Sequence, residues 1–118
     1  MAGDFTSDCG AQAIQRALGL GLEFDAVFAH NDLSAAGALQ ALRHAGRTVP
    51  GDVALVGFDD ILHAAHTEPP LTTIRQPMRQ MGEMAARRLI AHFDGTPLTS
   101  EPNILSTTLV VRSSTAPA

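Results

Sequence analysis

Two short apolar runs constrain the fold of this 118-residue chain more than any other feature. The first covers Ala26–Ala29 and the second Val53–Phe58, and polar residues follow each of them directly. The segment between them carries apolar residues at helical spacing and ends at Gly46, a residue type that suits a left-handed C-cap. Continuous apolar runs are typical of strands covered by helices on both faces of a parallel sheet. The pattern therefore predicts a strand–helix–strand unit.

The rest of the chain continues this alternation of helices and strands. The other predicted elements are a helix within 5–18, irregular helical turns over 61–68, a strand over 71–76, a helix over 78–93 and a strand over 104–111. Thr6 or Ser7 is the expected N-cap of the first helix, and Asp32 or Ser34 is that of the second. Residues 112–118 form a tail of small residues that is expected to fray. The order of elements predicts the α/β class with a mainly parallel sheet.

Composition and charge exclude several classes of function. Twelve acidic residues oppose eight basic residues, whereas nucleic-acid-binding modules usually carry a basic patch, so these residues are not expected to bind DNA themselves. No apolar run approaches the roughly 20 residues that a membrane helix needs, and the N-terminal residues lack the basic and apolar parts of a signal peptide. We therefore expect a cytoplasmic protein without membrane contact. The single Cys9 excludes an internal disulfide and a cysteine-based metal site.

Three carboxylates follow the two predicted strands: Asp32, Asp59 and Asp60. In open parallel sheets, ligands bind at the carboxyl ends of the strands, and clustered carboxylates suit Mg²⁺ in phosphoryl transfer. Such chemistry also needs a cationic group or a glycine-rich phosphate loop, and the chain has no Lys and no such loop. We therefore expect no enzymatic activity, metal or cofactor, and assign Asp32 to a helix cap and Asp60 to a turn.

The alternative is that the carboxyl ends of these strands bind a polyhydroxylated ligand. The amide of Asn31 both donates and accepts hydrogen bonds, and the carboxylate of Asp59 accepts several, a combination that suits a sugar or a nucleoside. Phe5 offers an apolar plate for such a ligand, although periodicity alone favours a core position for Phe5.

Three motifs occur in the order and spacing of one family of proteins. They are DAVFAHND at Asp25–Asp32, VPGDVALVGFDD at Val49–Asp60 and PPLTTIRQP at Pro69–Pro77, together with the opening Gly3–Thr6, Gly10 and the closing Thr108–Arg112. With these motifs the chain resembles the lactose/galactose repressor (LacI/GalR) family of bacterial transcription regulators. The resemblance covers nearly the whole chain without interruption.

The resemblance implies the C-terminal portion of an effector-binding domain over residues 1–118. Such a domain is a periplasmic-binding-protein-like (type I) sensor, in which two α/β lobes surround a cleft. Residues 1–76 and 104–113 would form a parallel-sheet, Rossmann-like C-terminal lobe that is incomplete in this chain. Residues 77–97 would supply a helix that packs on the N-terminal lobe. The helix-turn-helix domain that contacts DNA in this family is absent from the chain.

By position, the resemblance assigns four effector-binding residues. Phe5 would stack on the effector, and Asn31, Asp59 and Gln76 would form hydrogen bonds with it. His30 stands where the family commonly has a small residue, so it either alters the pocket or packs behind it.

The implied function is effector sensing by a transcriptional regulator. A sugar-like or nucleoside-like effector would control DNA binding by the absent helix-turn-helix. A homodimer is expected, with residues 34–45 and 62–67 as candidate surfaces. The alternative is the solute-binding protein of a sugar transporter, which shares the same fold.

Overall fold

The computed structural model describes residues 3–116, whose elements follow the predicted alternation. In chain order they are α1 (Ser7–Gly19), β1 (Ala26–Phe28), α2 (Asp32–His44), β2 (Ala54–Asp59), a 3₁₀ helix (Leu62–His66), β3 (Thr72–Arg75), α3 (Met78–Phe93) and β4 (Thr108–Val110). Within this part of the chain, the strands form one four-stranded sheet in the order β1-β2-β3-β4. Strands β1 to β3 run parallel, and β4 lies antiparallel to β3. The predicted α/β class with a mainly parallel sheet is confirmed.

Strand β2 is buried on one face, which corrects the expectation of helices on both. Val53 and Leu55 are buried in the core beside α2, whereas Ala54 and Val56 on the opposite face are only half-buried. The physical reason is that α1 packs on α2 rather than across the sheet. Among the described residues, the core therefore consists of two helices stacked on one side of the strands.

Two glycines allow α1 and α2 to approach closely. A Cβ atom on Gly10 would overlap the backbone of Ser34, and one on Gly37 would overlap the backbone of Ser7. Beside this contact, the Ser34 hydroxyl donates to the Thr6 carbonyl at 3.3 Å. Small residues at a helix crossing bring the backbones into contact, so the crossing depends on both positions being glycine.

The helix caps are partly as predicted. Thr6 caps α1, and its Oγ1 accepts from the Cys9 N–H at 3.2 Å. The N-cap of α2 is Asn31, not Asp32 or Ser34, because Asn31 is the last residue with extended backbone and its Oδ1 accepts from the Ser34 N–H at 2.9 Å. The left-handed Gly46 after α2 is confirmed, with φ 73°.

The C-terminal segment was expected to fray, but the structure holds it in place at Ser114. Ser114 is fully buried, its Oγ donates to the Leu55 carbonyl at 2.5 Å, and it accepts from the Thr72 N–H at 2.8 Å. Ser114 thus links the backbones of β2 and β3, which its small size alone did not reveal. The last strand is also shorter than predicted, because only Thr108–Val110 of residues 104–111 pairs with β3. Residues 117–118 lie outside the described part of the chain.

Helix α3 lies apart from the core. None of its residues is buried, and its exposed apolar side chains are Met78, Met81, Leu89, Ile90 and Phe93. It begins at Met78 and ends at Phe93 as predicted, and Gly95 follows with φ 99°. Among the described residues, no helix has the length and apolar content to cross a membrane.

Candidate functional site

The carboxyl ends of β1, β2 and β3 bring most of the predicted site residues to one edge. The N–H of Ala29, just beyond β1, donates to the Val56 carbonyl at 2.8 Å, so the chain leaves β1 beside the end of β2. Asn31 follows at that edge, while Asp59 at the end of β2 pairs in register with Arg75. Gln76 comes directly after Arg75. Parallel register therefore gathers Asn31, Asp59 and Gln76 from three separate parts of the sequence.

Asn31 connects Phe5 to this edge. Its Nδ2 donates to the Phe5 carbonyl at 2.9 Å while its Oδ1 caps α2. Phe5 has φ 68°, an uncommon conformation for an aromatic residue, and its side chain is 61% exposed. Phe5 is therefore a surface residue rather than a core residue. These two bonds use one N–H of the Asn31 amide and one lone pair of its oxygen, and the residue is only 9% exposed.

Asp59 and Gln76 form the second pair. The Gln76 Nε2 donates to the Asp59 Oδ1 at 2.6 Å, and both side chains are half-buried. Asp59 has φ 114°, which turns the chain sharply at the end of β2. This bond uses one carboxylate oxygen of Asp59, and the second carboxylate oxygen and the Gln76 Oε1 atom are further hydrogen-bond acceptors at this edge.

The buried Asp32 connects elements that carry the site. Its carboxylate accepts from the Thr73 hydroxyl at 2.6 Å and from the Ile61 N–H at 2.9 Å, and the residue is only 2% exposed. Burial raises the pKa of Asp32, and the nearby charges of Asp59 and Asp60 act in the same direction, against the lowering effect of the two hydrogen bonds. Asp32 therefore joins α2 to β3 and has no free oxygen directed at a ligand.

Asp60 joins two arginines. Its carboxylate pairs with the Arg75 Nε at 2.7 Å and the Arg112 Nη1 at 2.8 Å. Burial alone would raise the pKa of Asp60, but the hydrogen bonds and positive charges of the two arginines outweigh burial and lower it. Asp60 therefore has a structural role, as expected. It fills this role through ion pairs with two arginines rather than through a turn.

The magnesium alternative does not fit these contacts. Asp32, Asp59 and Asp60 each bond to a different protein group instead of converging on one point. Within residues 3–116, no group of three or more His, Cys, Asp or Glu side chains is placed to hold a metal ion.

Several supporting contacts were not predictable from the sequence. The partners of the buried carboxylates, Thr73, Arg75 and Arg112, lie far from them along the chain, and only the charge of the arginines gave a signal. His30 contacts Phe5 with ring centroids 4.5 Å apart and planes at 83°. The sequence marked His30 as unusual without indicating this contact.

Comparisons with known proteins agree on one family. Residues 4–115 match the model of a periplasmic binding protein-like domain. The chain is 46% identical over 114 residues to the HTH-type transcriptional regulator CelR of Thermobifida fusca, covering 95% of this chain and 33% of that protein.

Solved structures give the same result. A complex of the transcriptional regulator CelR with cellobiose has a TM-score of 0.90 and 45% identity, covering 95% of this chain and 34% of that chain. The lac repressor dimer bound to operator and the anti-inducer ONPF has a TM-score of 0.89 and 33% identity, covering 96% of this chain and 34% of that chain. The chain thus spans about a third of the length of the relatives that it matches.

Proposed function

Since the chain belongs to the LacI/GalR family of transcription regulators and carries a periplasmic-binding-protein-like fold, we propose that it is the effector-sensing part of such a regulator. The observation that carries this proposal is the polar edge formed by Asn31, Asp59 and Gln76 beside the exposed ring of Phe5. A regulator of this kind acts in the cytoplasm, and a helix-turn-helix domain outside this chain contacts the operator. The relatives are regulators, which favours this function over sugar transport and over enzymatic activity.

The proposed effector is a sugar. Ring hydroxyls donate to carboxylate and carbonyl oxygens and accept from amide N–H groups, and the edge offers each of these in the unused atoms of Asp59, Gln76 and Asn31. The C–H face of a sugar ring packs well on an exposed aromatic side chain such as Phe5. Cellobiose, which is present in the solved CelR complex, is therefore the first candidate to test.

The proposed site is half of a cleft between two lobes. Residues 1–76 and 104–113 are assigned to the C-terminal lobe, which carries the polar edge. Helix α3 is assigned to the N-terminal lobe, because its exposed apolar stripe needs a covering surface. An effector that contacts both lobes would favour their closed arrangement and so change the affinity for DNA.

Replacing Asp59 by alanine in the full-length regulator tests the proposal. Hydrogen bonds to a charged group are worth about 1.5–3 kcal/mol, so we expect cellobiose affinity to fall about 10- to 100-fold in calorimetry. Operator binding without sugar should stay the same. Asp25→Ala is the matched control, because Asp25 is an exposed aspartate at the opposite end of β1. Unchanged affinity in Asp59→Ala would remove Asp59 from the site, and binding of uridine instead of cellobiose would assign the effector to the nucleosides.

A homodimer is the second part of the proposed function. The face of α2 toward α1 and β2 is buried, so within the candidate helix 34–45 only its outer face, with Gln40 and Arg43, is open to a partner. Leu33 beside it is 48% exposed and Leu62 on the 3₁₀ helix is 83% exposed. We propose that these residues, with the segment 62–67, form the surface between two subunits.

An acidic residue at Leu62 should break this dimer. Desolvating a carboxylate in an apolar interface is costly, so Leu62→Asp is expected to weaken dimerisation of the full-length protein at least about tenfold in sedimentation equilibrium. Gln15→Asp adds the same charge on the exposed face of α1 and should leave the dimer intact. A Leu62→Asp protein that remains dimeric at low concentration would place the interface elsewhere.

A further inference from the structure

His30 contacts the N-terminal segment that carries Phe5. It is exposed, directly precedes Asn31, and its ring meets the Phe5 ring at 83° with centroids 4.5 Å apart. Gly3 passes over the same imidazole so closely that a Cβ there would lie 2.9 Å from the His30 Cε1 atom. Gly3 and Phe5 therefore both lie against the His30 ring.

The contacts of Phe5 divide between its backbone and its ring. The Asn31 amide holds the Phe5 carbonyl at 2.9 Å, which fixes the backbone in its left-handed conformation but leaves the side-chain torsions free. The ring itself is largely exposed, so little else restricts its direction. The perpendicular contact with His30 is a preferred aromatic geometry, and it restricts the orientation of the Phe5 ring.

We propose that His30 is a positioning residue of the effector site, which orients the Phe5 ring against a sugar. This inference rests on the proposed function and adds a residue that acts through Phe5 rather than through the ligand. A ring that is already oriented loses less conformational freedom when the sugar binds, so His30 increases affinity for ligands with a flat C–H face.

A double-mutant cycle in the full-length regulator tests this role, with cellobiose affinity measured by calorimetry. His30→Ala is expected to weaken binding about fivefold, which is the range of an aromatic pair contact. In a Phe5→Ala background, the same substitution should cost less than about twofold, because no ring is left to orient. His30→Phe should keep most of the affinity, since it preserves the ring contact. Equal losses in both backgrounds, or an unchanged affinity in His30→Ala, would overturn the proposal.

The ring contact also has a readout that does not depend on the effector. In the free protein, the carbon-bound imidazole protons of His30 lie within the ring current of Phe5, so their NMR shifts should move on Phe5→Leu substitution. Unchanged shifts would show that the ring pair does not form, and the positioning role of His30 would be wrong. The proposed effector-sensing function would still be decided separately by the Asp59→Ala result. If Phe5→Ala leaves cellobiose affinity unchanged, Phe5 is not a binding plate and His30 has no positioning role.

Discussion

Replacing Gly37 by alanine is expected to destabilise the regulator strongly. The added Cβ would overlap the carbonyl group of Ser7 on α1, and because that atom belongs to the backbone, the two helices must separate. Overpacking of this kind costs about 3 kcal/mol, and here it also loosens the contact between Ser34 and Thr6. The midpoint of thermal unfolding, followed by circular dichroism of the full-length protein, should fall by about 5–10 °C.

Gly19→Ala is the matched control for this substitution. Gly19 is the exposed last residue of α1 and has no atom within 4 Å of the position of a Cβ, so alanine there should change the free energy of unfolding by less than about 0.5 kcal/mol. A Gly37→Ala protein that unfolds at the same temperature as the Gly19→Ala protein would contradict the close crossing of α1 and α2.

Replacing Asp32 by alanine is expected to have a comparable effect. The substitution leaves the fully buried Thr73 hydroxyl and the Ile61 N–H without their acceptor, and we expect the free energy of unfolding to fall by about 3 kcal/mol. Asp32→Asn keeps one acceptor oxygen and should therefore lose less, about 1–2 kcal/mol. Chemical denaturation measures both variants, and equal losses in Asp32→Ala and Asp32→Asn would contradict this account.

The pH dependence of stability gives a second measure of Asp32. Its pKa is raised in the folded state above the ordinary value of 3.8, so between these two values the folded protein binds more protons than the unfolded protein. The contribution of Asp32 to stability therefore falls as the pH rises through this window. Asp60 has a lowered pKa, and its contribution is lost instead as the pH falls below 3.8. Asp32→Asn should remove the first effect and keep the second.

The sequence was sufficient to predict the elements and the edge of the sheet where the site lies. Val53–Phe58 is a continuous apolar run, so a strand that ends at Asp59 follows from the sequence, although only one of its faces is buried. The stripe of α3 was equally clear, because its apolar residues recur at helical spacing over its whole length.

The predictions failed where a residue depends on a distant partner. Asp32 lies at the start of α2 and resembles a cap, but its carboxylate accepts from Thr73, far along the chain, and Asn31 is the N-cap. Ser114 was assigned to a fraying tail because small polar residues carry no periodic signal, yet it bonds Leu55. The contact between His30 and Phe5 also depends on chain folding, and no local pattern encodes it.

The buried Ser114 has a consequence for the order of events during synthesis. The Leu55 N–H donates to the Ser114 carbonyl at 2.9 Å, and the Leu55 carbonyl accepts from the Ser114 hydroxyl. Until Ser114 emerges from the ribosome, these backbone groups of β2 have no protein partner. The nascent sheet therefore lacks this link between β2 and the C-terminal segment while translation proceeds through α3 and β4, whereas the pairing of β2 with β3 needs only residues up to Arg75.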